Sequence, residues 1–139
     1  MDRKNQILNF LKKHNIMVLA TANKENNPEA AVLEYGITDD LEIIFDTFID
    51  SRKYRNIQYN NNVSLVIGWD EDVTVQYEGQ AFELKGSDQG KYKRTYFRQN
   101  PRAKKWEKKE GISYFKVTPK WIRYSDLTKS PWEVFEITL

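Results

Sequence analysis

Residues 73–78 alternate with period two: Val73, Val75 and Tyr77 are apolar, while Thr74, Gln76 and Glu78 are polar. That pattern belongs to a β-strand with one buried and one wet face; a helix would scatter these side chains around its circumference. Gly79 follows, and the strand pattern resumes over 81–84. A glycine inside a strand pattern marks a bulge or bend. Further β-prone segments lie at 16–22, 29–35, 41–45, 113–117, 121–124 and 132–138. The segment 63–69 is nearly all apolar and reads as a strand buried on both faces. Asn26-Asn27-Pro28 and Thr38-Asp39-Asp40 are turn signals, so the first three strands are expected to form an antiparallel meander. About seven strands with few helices suggest a small barrel with helices packed at its edges.

Helices are expected in four places. Ile7, Phe10, Leu11 and His14 recur at helical spacing, giving an amphipathic helix over 3–14 with His14 as a partly packed helix end. A helix over 51–59 is closed by Asn60-Asn61-Asn62, another covers 88–99, and Pro101 opens a short one to residue 108.

A length of 139 residues suits one domain, here taken as residues 1–139. There is no cysteine, which excludes disulfides, thiolate catalysis and Cys-ligated metals. The single histidine excludes a multi-histidine metal site within one chain. Net charge is only +2, but residues 24–50 hold eight acids and one base, and residues 85–110 hold ten bases and three acids. Such asymmetry fits an anionic partner or two faces that meet in a dimer. The N-terminal stretch lacks a signal-peptide core and no apolar run is long enough to span a membrane, so a cytoplasmic protein is expected.

The segment 44–57 carries the most chemistry. The apolar run 43–45 leads into Thr47, Asp50 and Ser51, which suit a helix start, and then into Arg52, Lys53 and Arg55. The helix dipole disfavours cations at an N-terminus. Three of them there fit an anion such as phosphate, held by free N–H groups, a hydroxyl, an Arg fork and a Lys charge. A solvated basic helix face fits the same residues.

Read in order, the chain resembles the pyridoxamine 5'-phosphate oxidase-related family of FMN-binding split barrels. Phe45, Thr47, Ser51-Arg52-Lys53, Asn60-Asn61, Val63-Ser64-Leu65 and Trp69 carry the resemblance. Pro28, Gly79, Tyr96-Phe97, Pro101-Arg102, Val117-Thr118-Pro119 and Trp121-Ile122-Arg123-Tyr124 agree with it. The resemblance implies a mainly β, six- to seven-stranded antiparallel split barrel with flanking helices. It also implies a homodimer with FMN between the subunits. Ser51, Arg52 and Lys53 would hold the FMN phosphate, with Thr47 close by. Main-chain groups of residues 30–33, Ala31 and Val32 among them, would run along the isoalloxazine ring, and Thr74 or Gln76 would reach its polar edge.

The departures bear on the substrate. Ala31 stands where the oxidase has an Arg, Gly36 replaces a substrate-phosphate Lys, and no Arg-x-His pair occurs around Thr128–Trp132. Tyr96 remains of the substrate-phosphate residues. The implied function is an FMN-dependent oxidoreductase acting on an undetermined small molecule, not on vitamin B6 phosphates. Tyr35, Tyr96 and Trp132 are candidates to line the substrate space, and ordinary packing aromatics are the alternative for each. A deazaflavin would use the same phosphate turn, whereas haem is disfavoured by one histidine and two methionines. Two further alternatives are a non-catalytic or stress-associated flavin-binding protein and a nucleic-acid-binding barrel. The latter rests on the basic, aromatic-interleaved run 91–98 and on residues 102–109. At helical spacing, though, Tyr92, Tyr96 and Phe97 face a core and the cations face water.

Overall fold

The computed structural model describes residues 2–139. Helix α1, Arg3–Lys12, starts at Asp2, whose side chain accepts from Asn5 N at 2.8 Å. It buries Ile7, Leu8 and Leu11. His14 lies just beyond it, its ring tilted 36° against that of Phe10 with centroids 4.4 Å apart. The strands are β1 Ile16–Ala22, β2 Pro28–Glu34, β3 Gly36–Ile37, β4 Ile43–Phe48, β5 Asn62–Ile67, β6 Val73–Glu83, β7 Ile112–Asp126 and β8 Glu133–Thr138. Helix α2, Arg52–Tyr59, joins β4 to β5, and α3, Gln89–Gln99, follows β6 through a short 3-10 turn. Residues Pro101–Trp106 are 3-10 rather than α-helical.

All pairings are antiparallel, in the order β2-β1-β5-β6-β7-β4-β3, with β8 on the far part of β7. The expected meander therefore fails after β2. β1 and β2 pair, but β3 and β4 cross to the other end of the sheet and meet β7. The curled sheet is mainly β with flanking helices, as the sequence suggests. Two expected strands, 113–117 and 121–124, are one strand of fifteen residues. Pro119 does not end it, because it sits opposite Gly79 where the β6–β7 register shifts and no ladder N–H is needed. A Cβ on Gly79 would strike the Thr118 carbonyl oxygen, so close backbone approach dictates the glycine.

Strand β5 is buried on one face only, against expectation. Val63, Leu65 and Ile67 point inward, while Asn62 and Ser64 are exposed and Val66 is half-buried. Its outward Val66 is explained by its neighbours across the sheet. Val32, Val18, Val66 and Gln76 pair in one row, and Ala30, Ala20, Ser64 and Glu78 in the next. The inner face is filled by Phe45 and Phe115, stacked at 5.2 Å, and by Tyr77, whose hydroxyl meets the carbonyls of Leu41 at 2.6 Å and Val117 at 3.0 Å. A second cluster lies outside the sheet, where Ile44 and Tyr114 meet Tyr92 and Tyr96 of α3.

Candidate functional site

Strand β4 delivers Thr47 to the turn that starts α2. Ser51 caps that helix: its Oγ accepts from Tyr54 N at 3.2 Å and lies 2.9 Å from Thr47 Oγ1. Arg52 and Lys53 are the first two helical residues, so their N–H groups have no intrahelical carbonyl to reach. Both side chains line a cleft of about 130 Å³ whose opposite wall is Glu29, Ala30 and Ala31 of β2. Arg55, the third cation of the sequence cluster, donates to the Asp50 carbonyl at 3.1 Å and closes the turn instead. β2 is the end strand of the sheet, so alternate main-chain groups along it have no strand partner.

The cleft holds charge of both signs. Glu29 Oε2 lies 3.4 Å from Arg52 Nη1, and Glu29 Oε1 accepts from Asn56 Nδ2 at 2.9 Å. Asn56 is buried and also donates to Thr21 Oγ1 at 2.9 Å. Burial lowers the Lys53 pKa, and the charge of Asp46 opposes that. Asp46 itself is pushed up to about 6, mainly by burial; a hydrogen bond from Tyr96 opposes the shift and nearby Glu34 adds to it. Its Oδ2 is buried with no hydrogen-bond partner. Arg52 and Lys53 stand out in the sequence because they are adjacent at a helix start, and the structure brings both to one cleft. Asn56 was within reach of the same reasoning, one turn after Arg52 on the same helix face. Glu29 carried no local signal, since its contact with Arg52 spans 23 positions.

A family model described as pyridoxamine 5'-phosphate oxidase matches residues 4–126. The chain belongs to that family. A pyridoxine/pyridoxamine 5'-phosphate oxidase of Ehrlichia ruminantium (strain Welgevonden) is 35% identical over 88 residues, covering 63% of this chain and 45% of the relative. The chain thus spans less than half the length of that curated relative. Among solved structures, a heme binding protein from Mycobacterium smegmatis superposes with a TM-score of 0.87 at 16% identity, covering 99% of this chain and 58% of that one. General Stress Protein 26 from Bacillus anthracis str. Sterne gives 0.76 at 22% identity, covering 99% and 100%. At these identities the two structures show the shared fold.

Within this family member, the other sequence-derived candidates are spread over the fold. Ala31 lines the cleft. Val32, next along β2, is 65% exposed on the outer sheet face, and Gln76 is exposed on the same face two strands beyond β1. The Thr74 hydroxyl donates to the Gly68 carbonyl at 2.7 Å, which ties it to the β5–β6 connection. Of the three substrate-lining candidates, the structure buries Tyr35 and Tyr96 and sets Trp132 apart from the cleft within one chain. Tyr35 is 1% exposed and its hydroxyl donates to the Leu11 carbonyl at 2.8 Å, so it is a core residue anchoring α1. Tyr96 is equally buried, under the sheet-facing side of α3. Trp132 is 66% exposed in the β7–β8 connection, beside a cleft that shares no residue with the Arg52–Lys53 cleft. Aromatic identity alone does not say whether a ring packs into the core or faces solvent.

Proposed function

We propose that this chain is an FMN-binding flavoprotein that works as an oxidoreductase on a small molecule. The observation that carries this reading is the Arg52–Lys53 pair at the open start of α2, facing the edge strand β2 across one cleft. A phosphate monoester suits two cations and two free helix N–H groups. A flat ring suits an edge strand with unpaired main-chain groups and small side chains, here Ala30 and Ala31. When bound, the flavin would supply hydride and electron transfer. The chain would supply binding and orientation: Arg52 and Lys53 hold the phosphate, Ser51 and Thr47 fix the helix start beneath it, and β2 lies along the ring. Val32, Val18 and Val66 form an apolar row on the outer sheet face, suited to a second copy of this chain, which would complete the site as a homodimer. A deazaflavin phosphate would fit the same cradle.

Haem is the less suitable ligand. The haem of the mycobacterial neighbour is that protein's own. Here His14 Nδ1 faces the Phe10 carbonyl at 2.9 Å, in a cleft that shares no residue with the Arg52–Lys53 site.

Flavin fluorescence quenching tests the reading. FMN should bind well and riboflavin far more weakly, and Arg52→Ala should cost about 1.5–3 kcal/mol of FMN binding. Light scattering of the loaded protein should give twice the 16.5 kDa chain mass. Equal affinity for FMN and riboflavin would overturn the phosphate assignment.

A further inference from the structure

The Arg52 guanidinium of the cleft has a carboxylate set against it. Glu29 Oε2 stands 3.4 Å from Arg52 Nη1. Glu29 is not a mobile surface acid. Its side chain is 19% exposed and its Oε1 is held by Asn56, which is itself buried and fixed to Thr21. A carboxylate held in this way is biased to stay beside Arg52 when another anion arrives. Of the residues lining the cleft, Glu29 offsets part of the positive charge of Arg52 and Lys53, which alone would make a strong phosphate site.

We propose that Glu29 sets the cofactor affinity by competing with the incoming phosphate monoester for the Arg52 guanidinium, so that the flavin nucleotide is an exchangeable ligand of this chain. The inference rests on the flavin-nucleotide reading above. A guanidinium presents its five N–H groups in a rigid planar fork, and a phosphate takes two of them together for a bidentate grip. Glu29 engages one arm of that fork, on Nη1. A phosphate must therefore accept a reduced set of donors or draw Arg52 away from Glu29, and in either case it sits close to a fixed like charge. Riboflavin has no phosphate and is insensitive to this competition.

The test is the affinity and release rate of FMN and of riboflavin for the full chain and for Glu29→Gln, by fluorescence quenching and stopped flow. The amide oxygen of Gln keeps an acceptor for Asn56 while removing the charge. Glu29→Gln should bind FMN on the order of tenfold more tightly, chiefly through slower release, with riboflavin unchanged within about twofold. Glu29→Ser removes the charge without a long amide and should show the same ordering if Glu29→Gln does not fold. Unchanged or weaker FMN binding by the variant overturns the inference while leaving the flavin reading intact. Weaker binding of both flavins would instead make Glu29 a direct acceptor for the ligand's hydroxyls. Binding of neither flavin by either form overturns the flavin reading and the inference together.

Discussion

Asp46 shows how one side chain connects the cleft to the helix layer behind it. It points outward from β4, directly across the ladder from Tyr114, and its Oδ2 is buried without a partner. Burial lifts its pKa to about 6 from 3.8. A raised carboxyl pKa means that the folded state binds the proton more tightly than the unfolded chain does. The charged form is therefore a cost, absent below about pH 4, growing up to about pH 6 and constant above. Asp46→Asn should remove that cost. Discounted for partial solvent screening, it should stabilise the protein by about 1–2 kcal/mol at pH 7.5 and by nothing measurable near pH 4. Urea denaturation of both forms at the two pH values checks this, and a gain that persists undiminished at pH 4 would point to packing instead. At this scale the sequence was legible where chemistry is local. Ser51, Arg52 and Lys53 are neighbours at a helix start, and the structure places the two cations together in the cleft. Glu29 and Asp46 act across strands and helices, and Tyr35 was misread because its hydroxyl finds a partner, Leu11, 24 positions away.

Strand β6 illustrates what periodicity resolves. Its alternation predicts both its faces and the interruption at Gly79, and the observed register shift falls between Glu78 and Gly79. The partner side of the bulge was less legible. Thr118-Pro119 reads as a turn, yet β7 runs straight through it, because the bulge removes the need for the N–H that proline lacks. The same limit explains β5. An apolar run cannot distinguish a strand buried on two faces from one whose outer face meets other valines. The bulge sets the bend of the two longest strands, so Gly79→Ala should be costly. Its Cβ would press on the Thr118 carbonyl and come within 3.0 Å of Val117 Cγ1. The expected loss is about 2–3 kcal/mol, measured by thermal or urea unfolding. A loss below 0.5 kcal/mol would show that the bulge relaxes at no expense.

For the whole molecule, family membership does not by itself fix the activity. The fold class was legible because most strands announce themselves, although the two-residue β3 carries no pattern of its own and β7 reads as two strands. The crossing of β3 and β4 to β7 was not, since strand order depends on long-range pairing that local pattern does not encode. No helix among the described residues is long and apolar enough to cross a membrane. The family's named activity is oxidation of pyridoxine or pyridoxamine phosphate, and the structure gives a physical reason to expect little of it here. At Gly36, where the resemblance places a substrate-phosphate lysine, a Cβ would lie 3.0 Å from the Tyr96 backbone Cα and 3.2 Å from Gln99 Oε1. That Gln99 side chain is committed to the backbone of Ile37, accepting from its N at 2.7 Å and donating to its carbonyl at 3.0 Å. The neighbourhood is thus closed by backbone and by a two-point amide clasp, and it has no room for a lysine. Tyr96 is buried with Asp46 and Glu34 near it, an anionic setting that repels a phosphate. A site that lacks the polar partners of a substrate loses several orders of magnitude toward it. The FMN-loaded protein should therefore turn over pyridoxine or pyridoxamine phosphate far more slowly than roughly 1 per second, the lower end for an enzyme on its own substrate. The measurement is aerobic formation of pyridoxal phosphate. Turnover at or above that rate would mean that the phosphate of this substrate is gripped elsewhere, by cations such as Arg98 and Arg102 that lie exposed on and just after α3.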